Sequence, residues 1–508
     1  MFKLLSLRVY NHPTLGTINK GMDFVTNLDE QLSEKVPYTT LLIGPNGSGK
    51  SLILSTIIEI FEELQDSLHA NKKTKRSLPY SYAVEYRIDE DHYRILNRKT
   101  GIPGKNEKSP YQFWLVRDNN EEEINLNQLL LPKKIIAVSF LALDRFRAKK
   151  NEIGDFYVYL GLRDSNNTAR AGAFLNNSLP LLFDYIQSAG SIFFIKEILS
   201  FLGYNQDYLG LNYTYRYKNI FFTGKLTNKK FTSLFNDYKK FSKRKQQPFS
   251  VDYYIANVKG NTRLIDKIVK FINLRSQIDS ISFGKTSFLE FNLLEQSMVL
   301  EELGMLTHLR KLDLISSASL LFKHGVNQPF DASQSSSGEF HFLTTMIAIQ
   351  TSIEQDSLVL IDEPETSLHP NWQMGYIHSL KKIFKIWHGS HFLIASHSHF
   401  FVSDLPGNSS EIIALKGKAP KIDAEALKFD TFGWSPDEIL YKIFEVRTVR
   451  NHFFEMDLRK LAFLINSSSD ELQEIRRIID KIAKFSFSAE DPLMALIAEG
   501  EKYLEGRA

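Results

Sequence analysis

Two short segments carry the side chains best suited to chemistry. Residues 44–51 read Gly44, Pro45, Asn46, Gly47, Ser48, Gly49, Lys50, Ser51, the pattern G-x-x-x-x-G-K-[ST], after an apolar Leu41-Leu42-Ile43 and before a run of helical periodicity. In that setting the glycines let backbone N–H groups turn inward as an anion nest, and the helix N-terminus adds partial positive charge. Lys50 would reach the β- and γ-phosphates of a nucleotide, and the Ser51 hydroxyl would ligate Mg²⁺. The second segment is Leu358-Val359-Leu360-Ile361 followed by Asp362-Glu363, an apolar run ending in two acids. It reads as a buried parallel strand. Asp362 would serve the Mg²⁺ shell, and Glu363 would polarise an attacking water as general base.

Two further segments stand in order with these. Ser335-Ser336-Ser337-Gly338-Glu339 precedes an apolar helical run and lies just ahead of the Asp362 strand. His391-Phe392-Leu393-Ile394-Ala395-Ser396-His397-Ser398 is an apolar strand ending in Ser-His. His391, His397 and His399 are close in sequence, but no carboxylate or cysteine at ligand spacing joins them, so zinc is disfavoured. Asp89-Glu90-Asp91 has the D-x-D form of Toprim nucleases, yet it falls where a solvated hairpin turn is expected. Basic clusters at 72–76, 145–150 and 239–245 could track a phosphate backbone, although such runs more often form a solvated face.

The elements that must position these residues follow from periodicity. Residues 1–150 read as strands with one strong helix after the phosphate loop. Some 284 positions separate Ser51 from Ser335, and the stretch 151–325 is rich in Phe and Tyr, with helical periods near 181–202, 231–241 and 264–274. No heptad is sustained, so a compact, mainly helical lobe is expected rather than a coiled-coil arm. Residues 326–425 hold the later motifs, and 426–508 read as helices, with Ser435-Pro436-Asp437-Glu438 as a helix start.

Composition sets outer limits. The 508 residues allow two to four domains, and 43% hydrophobic with 24% charged content is ordinary for a globular chain. A net charge of +3 argues for no polyanion partner by itself, and the lack of cysteine excludes disulfides and thiolate metal sites. The first residues show no signal-peptide pattern and no apolar run suits a membrane span, so a cytoplasmic protein without membrane contact is expected.

The order of the four motifs resembles the ATP-binding-cassette ATPases, in which two subunits sandwich two ATP molecules. That resemblance implies an α/β fold: an ABC-type, SMC-like ATPase head with a helical insertion lobe and a helical C-terminal region. By the same resemblance the signature residues Ser336, Ser337, Gly338 and Glu339 would act in trans on the γ-phosphate of a second subunit. His397 would be the switch histidine, and Ser367, Leu368 and His369 the D-loop. The form of residues 362–370, Asp-Glu-Pro-Glu-Thr-Ser-Leu-His-Pro, is similar to OLD, RecF-like and related ATPases rather than transporter cassettes. Residues 136–140 running into 144–146, then 159–163, and the tail segment 431–451 look like PtuA, the ATPase subunit of Septu anti-phage systems, including retron-associated ones. This implies a homo-oligomer with an HNH-type nuclease partner, with a retron reverse transcriptase, its non-coding RNA, and nucleic acid as further partners. The chain shows no HNH or Toprim constellation, so cleavage is expected from a partner. RecF-type DNA repair, or service to a separate Toprim nuclease, are the alternatives. The Q-loop glutamine is not placed: Gln112, Gln128 or the turn at 139–144 would fill that position.

Overall fold

The computed structural model describes residues 1–26, 35–69, 78–98, 111–117, 120–139, 141, 143–149, 151, 154–163, 185, 193–237, 250–279, 286–292, 296–315, 319–366, 368–427, 431, 433–444, 452–467, 471–483 and 492–506. β1 (Phe2–His12) and β2 (Gly16–Asp23) form a hairpin, and β3 (Tyr38–Ile43) leads through the phosphate loop into α1 (Lys50–Leu68). An antiparallel run follows: β4 (Ser81–Ile88), β5 (Asp91–Asn97), β6 (Tyr111–Arg117) and β7 (Asn120–Glu123). Then come β8 (Ile135–Ser139) and β9 (Tyr157–Gly161). The insertion supplies α2 (Phe193–Phe201), β10 (Tyr208–Thr214), α3 (Asn228–Asn236), α4 (Thr262–Asp279), β11 (Thr286–Asn292), α5 (Gln296–Lys311), β12 (Ser319–Phe322) and β13 (Phe330–Asp331). The later motifs sit on α6 (Ser337–Ser352), β14 (Leu358–Asp362), α7 (Pro370–Met374), α8 (Tyr376–Ile383), β15 (His391–Ser396) and α9 (His399–Ser403), before the hairpin β16 (Ser410–Lys418) and β17 (Lys421–Ala426).

The central layer is a seven-stranded sheet in the order β17-β16-β3-β15-β14-β8-β9, parallel except for the β16–β17 hairpin. Every residue of β3, β8, β14 and β15 is buried, as strands covered on both faces require. A six-stranded antiparallel sheet, β2-β1-β4-β5-β6-β7, forms the second layer. Here β4 alternates buried and half-buried positions, the period-two pattern of a strand with one face on a core. α1 joins the two layers: Ile53, Ile57 and Phe61 share one cluster with Leu4 and Val84 of the antiparallel sheet and with Leu360 and Leu393 of the parallel one. Glu63 of α1 is fully buried there and accepts hydrogen bonds from Leu78 N (2.7 Å) and the Tyr82 hydroxyl (2.9 Å).

Helices predominate among the described insertion residues, but the lobe also contains a sheet, β11-β10-β12-β13, that periodicity does not reveal. β10 pairs antiparallel with β11 across a long intervening stretch, Tyr208 facing Asn292 and Thr214 facing Thr286. Pairing at that separation leaves no hairpin signal in the sequence. Of the helical period expected near 181–202, Tyr185 and the residues from 193 onward, as α2, are described, and the others lie outside the described residues.

The chain divides into two compact units, Met1–Gly433 and Trp434–Ala508. In the second, Ser435 caps α10 (Pro436–Lys442) in a reciprocal box with Glu438, and Pro436 takes the first turn. α11 (His452–Asn466), α12 (Leu472–Ile482) and α13 (Pro492–Glu505) close on a small core in which α12 buries Ile475, Ile478, Ile479 and Ile482, one stripe at helical spacing. Among the described residues no helix is long and apolar enough to cross a membrane.

Candidate functional site

Strand register brings the motif ends to one edge. Ile43 stands opposite Ser396, Ala395 opposite Asp362, and Asp362 opposite Ser139. The phosphate loop, the Glu363 turn, the His397 turn and the loop after β8 therefore all leave the carboxyl edge of the parallel sheet, where open α/β sheets hold ligands.

The phosphate loop is shaped by close approach. A Cβ on Gly44 would lie 2.6 Å from Leu415 O, and one on Gly49, whose φ is +90°, would lie 2.7 Å from Ile422 Cδ1. Pro45, Asn46 and Gly47 are exposed at the rim, whereas Ser48 is buried and its Oγ has no hydrogen-bond partner. Lys50 opens α1 with its ammonium donating to Gly44 O (3.0 Å) and standing 2.7 Å from His397 Nε2. Burial lowers its pKa to about 8, against the pull of Glu363, Glu365 and Asp362. Ser51 Oγ donates to Asp362 Oδ1 at 2.9 Å. Asp362 is fully buried; burial is the main cause that pushes its pKa up to about 7, and its Oδ2 has no partner. An alcohol oxygen beside a carboxylate with one orphaned buried oxygen fits a hard divalent cation such as Mg²⁺.

Glu363 takes the left-handed region (φ 49°), unusual for a residue with a Cβ, and its N–H donates to Ala395 O (2.8 Å). The hydrogen bond from His397, 3.2 Å away, is the main cause holding the Glu363 carboxyl below its ordinary range. Two residues outside the sequence assignments complete this corner. Glu365, whose pKa is raised chiefly by burial, accepts the His397 backbone N–H. Gln373 of α7 accepts from Ser398 Oγ (2.7 Å) and donates to Leu368 O (2.9 Å). Glu365 lies within the acidic motif, so its type was visible in the sequence; nothing there marked Gln373.

The structure thus brings Lys50, Ser51, Asp362, Glu363 and His397 together, whereas the 335–339 segment starts a separate helix. Ser336 caps α6 and shares a reciprocal box with Glu339, while Ser336 and Ser337 are exposed. Ser335 Oγ accepts from, or donates to, the Tyr204 hydroxyl at 3.2 Å, tying the segment to the insertion. His369 caps α7, its Nδ1 accepting from Asn371 N (3.3 Å), and Leu368 is buried; Ser367 lies outside the described residues.

His391 is a core residue. It is fully buried, with Nδ1 accepting from Leu4 N (3.1 Å) and Nε2 beside Thr40 Oγ1 (2.9 Å). Among the described residues no group of three His, Asp or Glu is placed to hold a metal. Asp89 and Glu90 form the β4–β5 turn, where Glu90 pairs with Arg87 and Asp91 with Arg117. Gln112 lies in the antiparallel sheet, and Gln128 closes a short 3₁₀ turn by accepting from Asn125 N (2.9 Å). The loop beside Asp362 instead carries Asp144, which accepts from Phe146 N (2.9 Å), the Tyr159 hydroxyl (2.7 Å) and Arg163 Nε (3.2 Å).

Comparison with known proteins agrees with this arrangement in kind. The family described as "AAA domain, putative AbiEii toxin, Type IV TA system" matches residues 204–403, from the insertion to α9. Over 74 residues the chain is 34% identical to "Endonuclease GajA" of Bacillus cereus (strain HuB5-5), a stretch covering 13% of this chain and 11% of that protein. The chain therefore matches only about a tenth of that relative's length. Among solved structures, the SMC head domain from Thermotoga maritima aligns at 9% identity and TM-score 0.32 over 84% of this chain and 100% of that one. The Smc head domain with an extended coiled coil, bound to the C-terminal domain of ScpA and derived from Pyrococcus furiosus, aligns at 13% and 0.31 over 84% and 96%. The parallel strand order, the motif loops at its carboxyl edge and the AAA domain matched over residues 204–403 support an ATPase head.

Proposed function

We propose that this chain is the ATPase subunit of an anti-phage defence complex, in which ATP-dependent assembly regulates an HNH-type nuclease partner. The observation that carries the ATPase reading is the Ser51–Asp362 hydrogen bond, with His397 beside it in contact with both Lys50 and Glu363. In this reading the backbone of Gly44, Asn46, Gly47, Ser48 and Gly49 wraps the phosphates, and Lys50 exchanges His397 for the β- and γ-phosphate oxygens. Ser51 and Asp362 hold Mg²⁺, which when bound neutralises phosphate charge. Glu363, kept ionised by its contacts, accepts the proton of the attacking water, and His397 donates toward the γ-phosphate. Ser336, Ser337, Gly338 and Glu339 serve a second copy's nucleotide, with Ser336 and Ser337 exposed at the start of α6, and Ser367, Leu368 and His369 form the D-loop between copies.

Lys50→Ala tests the site directly. Loss of a charge-assisted contact should weaken ATP binding by about tenfold to a hundredfold. Unchanged affinity in calorimetry removes the phosphate-loop assignment. Glu363→Gln should keep ATP binding while slowing hydrolysis by roughly 10²-fold or more. The partner is tested by co-expression with genomic neighbours and pull-down, where recovery of a small HNH protein supports the defence complex. The 74-residue likeness to an endonuclease supports a second reading, an ATPase that serves a separate Toprim nuclease. Recovery of a Toprim protein in the same pull-down would decide for it.

A further inference from the structure

The chain's near-neutral total conceals a strongly basic segment. Residues 216–279 hold fifteen Lys or Arg against four Asp or Glu, although the whole chain sums to only +3. The rest of the protein is therefore acidic, and positive potential concentrates on the insertion. Among the described residues of this segment, Lys218, Lys225, Lys229, Lys230, Lys259 and Arg263 are exposed and make no ion pair. Cations left unpaired on one lobe of a protein that is acidic elsewhere repel one another, and an anionic ligand would relieve that repulsion.

One of these cations, Lys229, lines a groove, and most of the others are its near neighbours or those of Thr262 in the chain. α3 and α4 pack side by side, pinned at one end by Asn228 Nδ2 to Asp266 Oδ1 (3.4 Å). Just ahead of α3, Leu226 is held to the same helix: Asn273 of α4 accepts from Leu226 N (2.9 Å) and donates to Leu226 O (2.8 Å). Between them runs a cleft of about 430 Å³ whose lining includes Lys229, Thr232, Ser233, Asn236, Asp237 and Thr262. In the chain, Lys225 and Lys230 lie near Lys229, and Lys259 and Arg263 lie on either side of Thr262, all of them exposed. Asn261 caps that start of α4 by accepting from Leu264 N (3.0 Å). The carboxylate of Asp266 is already held by Lys270 (2.9 Å), so it adds little net negative charge to the cleft.

We propose that this cleft binds the phosphodiester backbone of nucleic acid. Hydroxyl and amide side chains beside Lys229, with further exposed Lys and Arg on the same segment, are the groups that contact phosphate and sugar oxygens without reading bases. A membrane surface would call for an apolar face beneath the cations. The large apolar side chains exposed among the described residues here are two, Ile255 and Leu274, which make no such face. The proposal is independent of the ATPase reading, because the groove lies outside the nucleotide site and needs no hydrolysis.

The test is fluorescence anisotropy of the full chain with a labelled DNA duplex of about 30 bp, and with single-stranded RNA of similar length, across a salt series. The triple variant Lys229→Glu, Lys259→Glu, Arg263→Glu should weaken binding by at least tenfold. Its salt slope should fall by about 0.9 for each lost phosphate contact on duplex DNA. Lys229→Arg should bind as the wild type does. Retained ATP binding and circular dichroism in the triple variant show that its fold is intact. Lys50→Ala should bind duplex normally, so a failure of the ATPase assignment and a failure of this one are told apart. Wild-type protein that binds neither nucleic acid overturns the proposal, and so does a triple variant that binds as tightly as wild type. A triple variant that loses only affinity for phosphatidylserine vesicles, or for a poly-glutamate peptide, also overturns it.

Discussion

Glu365 and Gln373 decide how firmly the His397 turn is held. The first accepts the His397 N–H, and the second links Ser398 to Leu368, so one segment after β14 grips the switch turn at two points. Neither touches Lys50 by hydrogen bond, which makes them positioning residues. Loss of such supporting contacts typically costs ten- to a hundredfold in activity. Glu365→Ala and Gln373→Ala should each lower kcat for ATP hydrolysis by about tenfold while leaving KM within about threefold. Glu365→Gln, which keeps an acceptor for the His397 N–H, should recover most of the rate. A merely structural role would lower Tm without separating kcat from KM, and calorimetry beside the kinetics distinguishes the two.

At the scale of elements, two buried polar residues pin strands and helices that apolar packing alone would leave free to slide. His391 begins β15 and clamps it to β1 through Leu4 and to β3 through Thr40, whose hydroxyl in turn donates to Phe24 O (2.8 Å). The Nδ1 lone pair is used as an acceptor, so the ring is neutral in the fold, and burial lowers its pKa to about 3 from an ordinary 6.5. A histidine depressed in this way contributes stability that is present above pH 6.5 and is lost as pH falls toward 3, because only the unfolded chain takes up the proton. The wild type should therefore lose about 1.4 kcal/mol per pH unit below about pH 6 relative to His391→Gln. Denaturant titrations of both proteins at several pH values check this, and parallel slopes would refute it. Glu63 plays the equivalent part for α1. Glu63→Ala strands the Leu78 N–H and the Tyr82 hydroxyl in the core, with an expected loss of about 3 kcal/mol or more, read as a lower Tm.

At the scale of the molecule, the exposed start of α6 and the gathered Lys50 site are complementary halves, if two copies close on nucleotide. Glu363→Gln with ATP and Mg²⁺ should then shift mass-photometry counts from monomer to dimer. The added substitution Ser337→Glu, which places a carboxylate where phosphate oxygens would approach, should return them to monomer. A dimer that persists in the double variant would place the contact elsewhere.

The motif residues were legible because their chemistry is local. Glycines at fixed spacing, an apolar strand ending in acids and a Ser-Pro-Asp-Glu helix start each encode their conformation within a few residues. The phosphate loop before α1, Asp362 at the end of β14 and the Ser435 cap therefore stand where spacing placed them. The expected hairpin turn at Asp89 and Glu90 also stands, between β4 and β5. Only the tertiary structure decided what depends on distant partners: the β10–β11 pairing, the Glu63 anchor, the Gln373 bridge and the Asp144 network beside Asp362. Each of these joins residues far apart in the chain, and their geometry is fixed by sheet register and helix packing rather than by any neighbouring residue type. The same holds for the basic groove. Its cations are plain in the sequence, but α3 and α4 had to pack before Lys229 and Thr262 could line a common cleft.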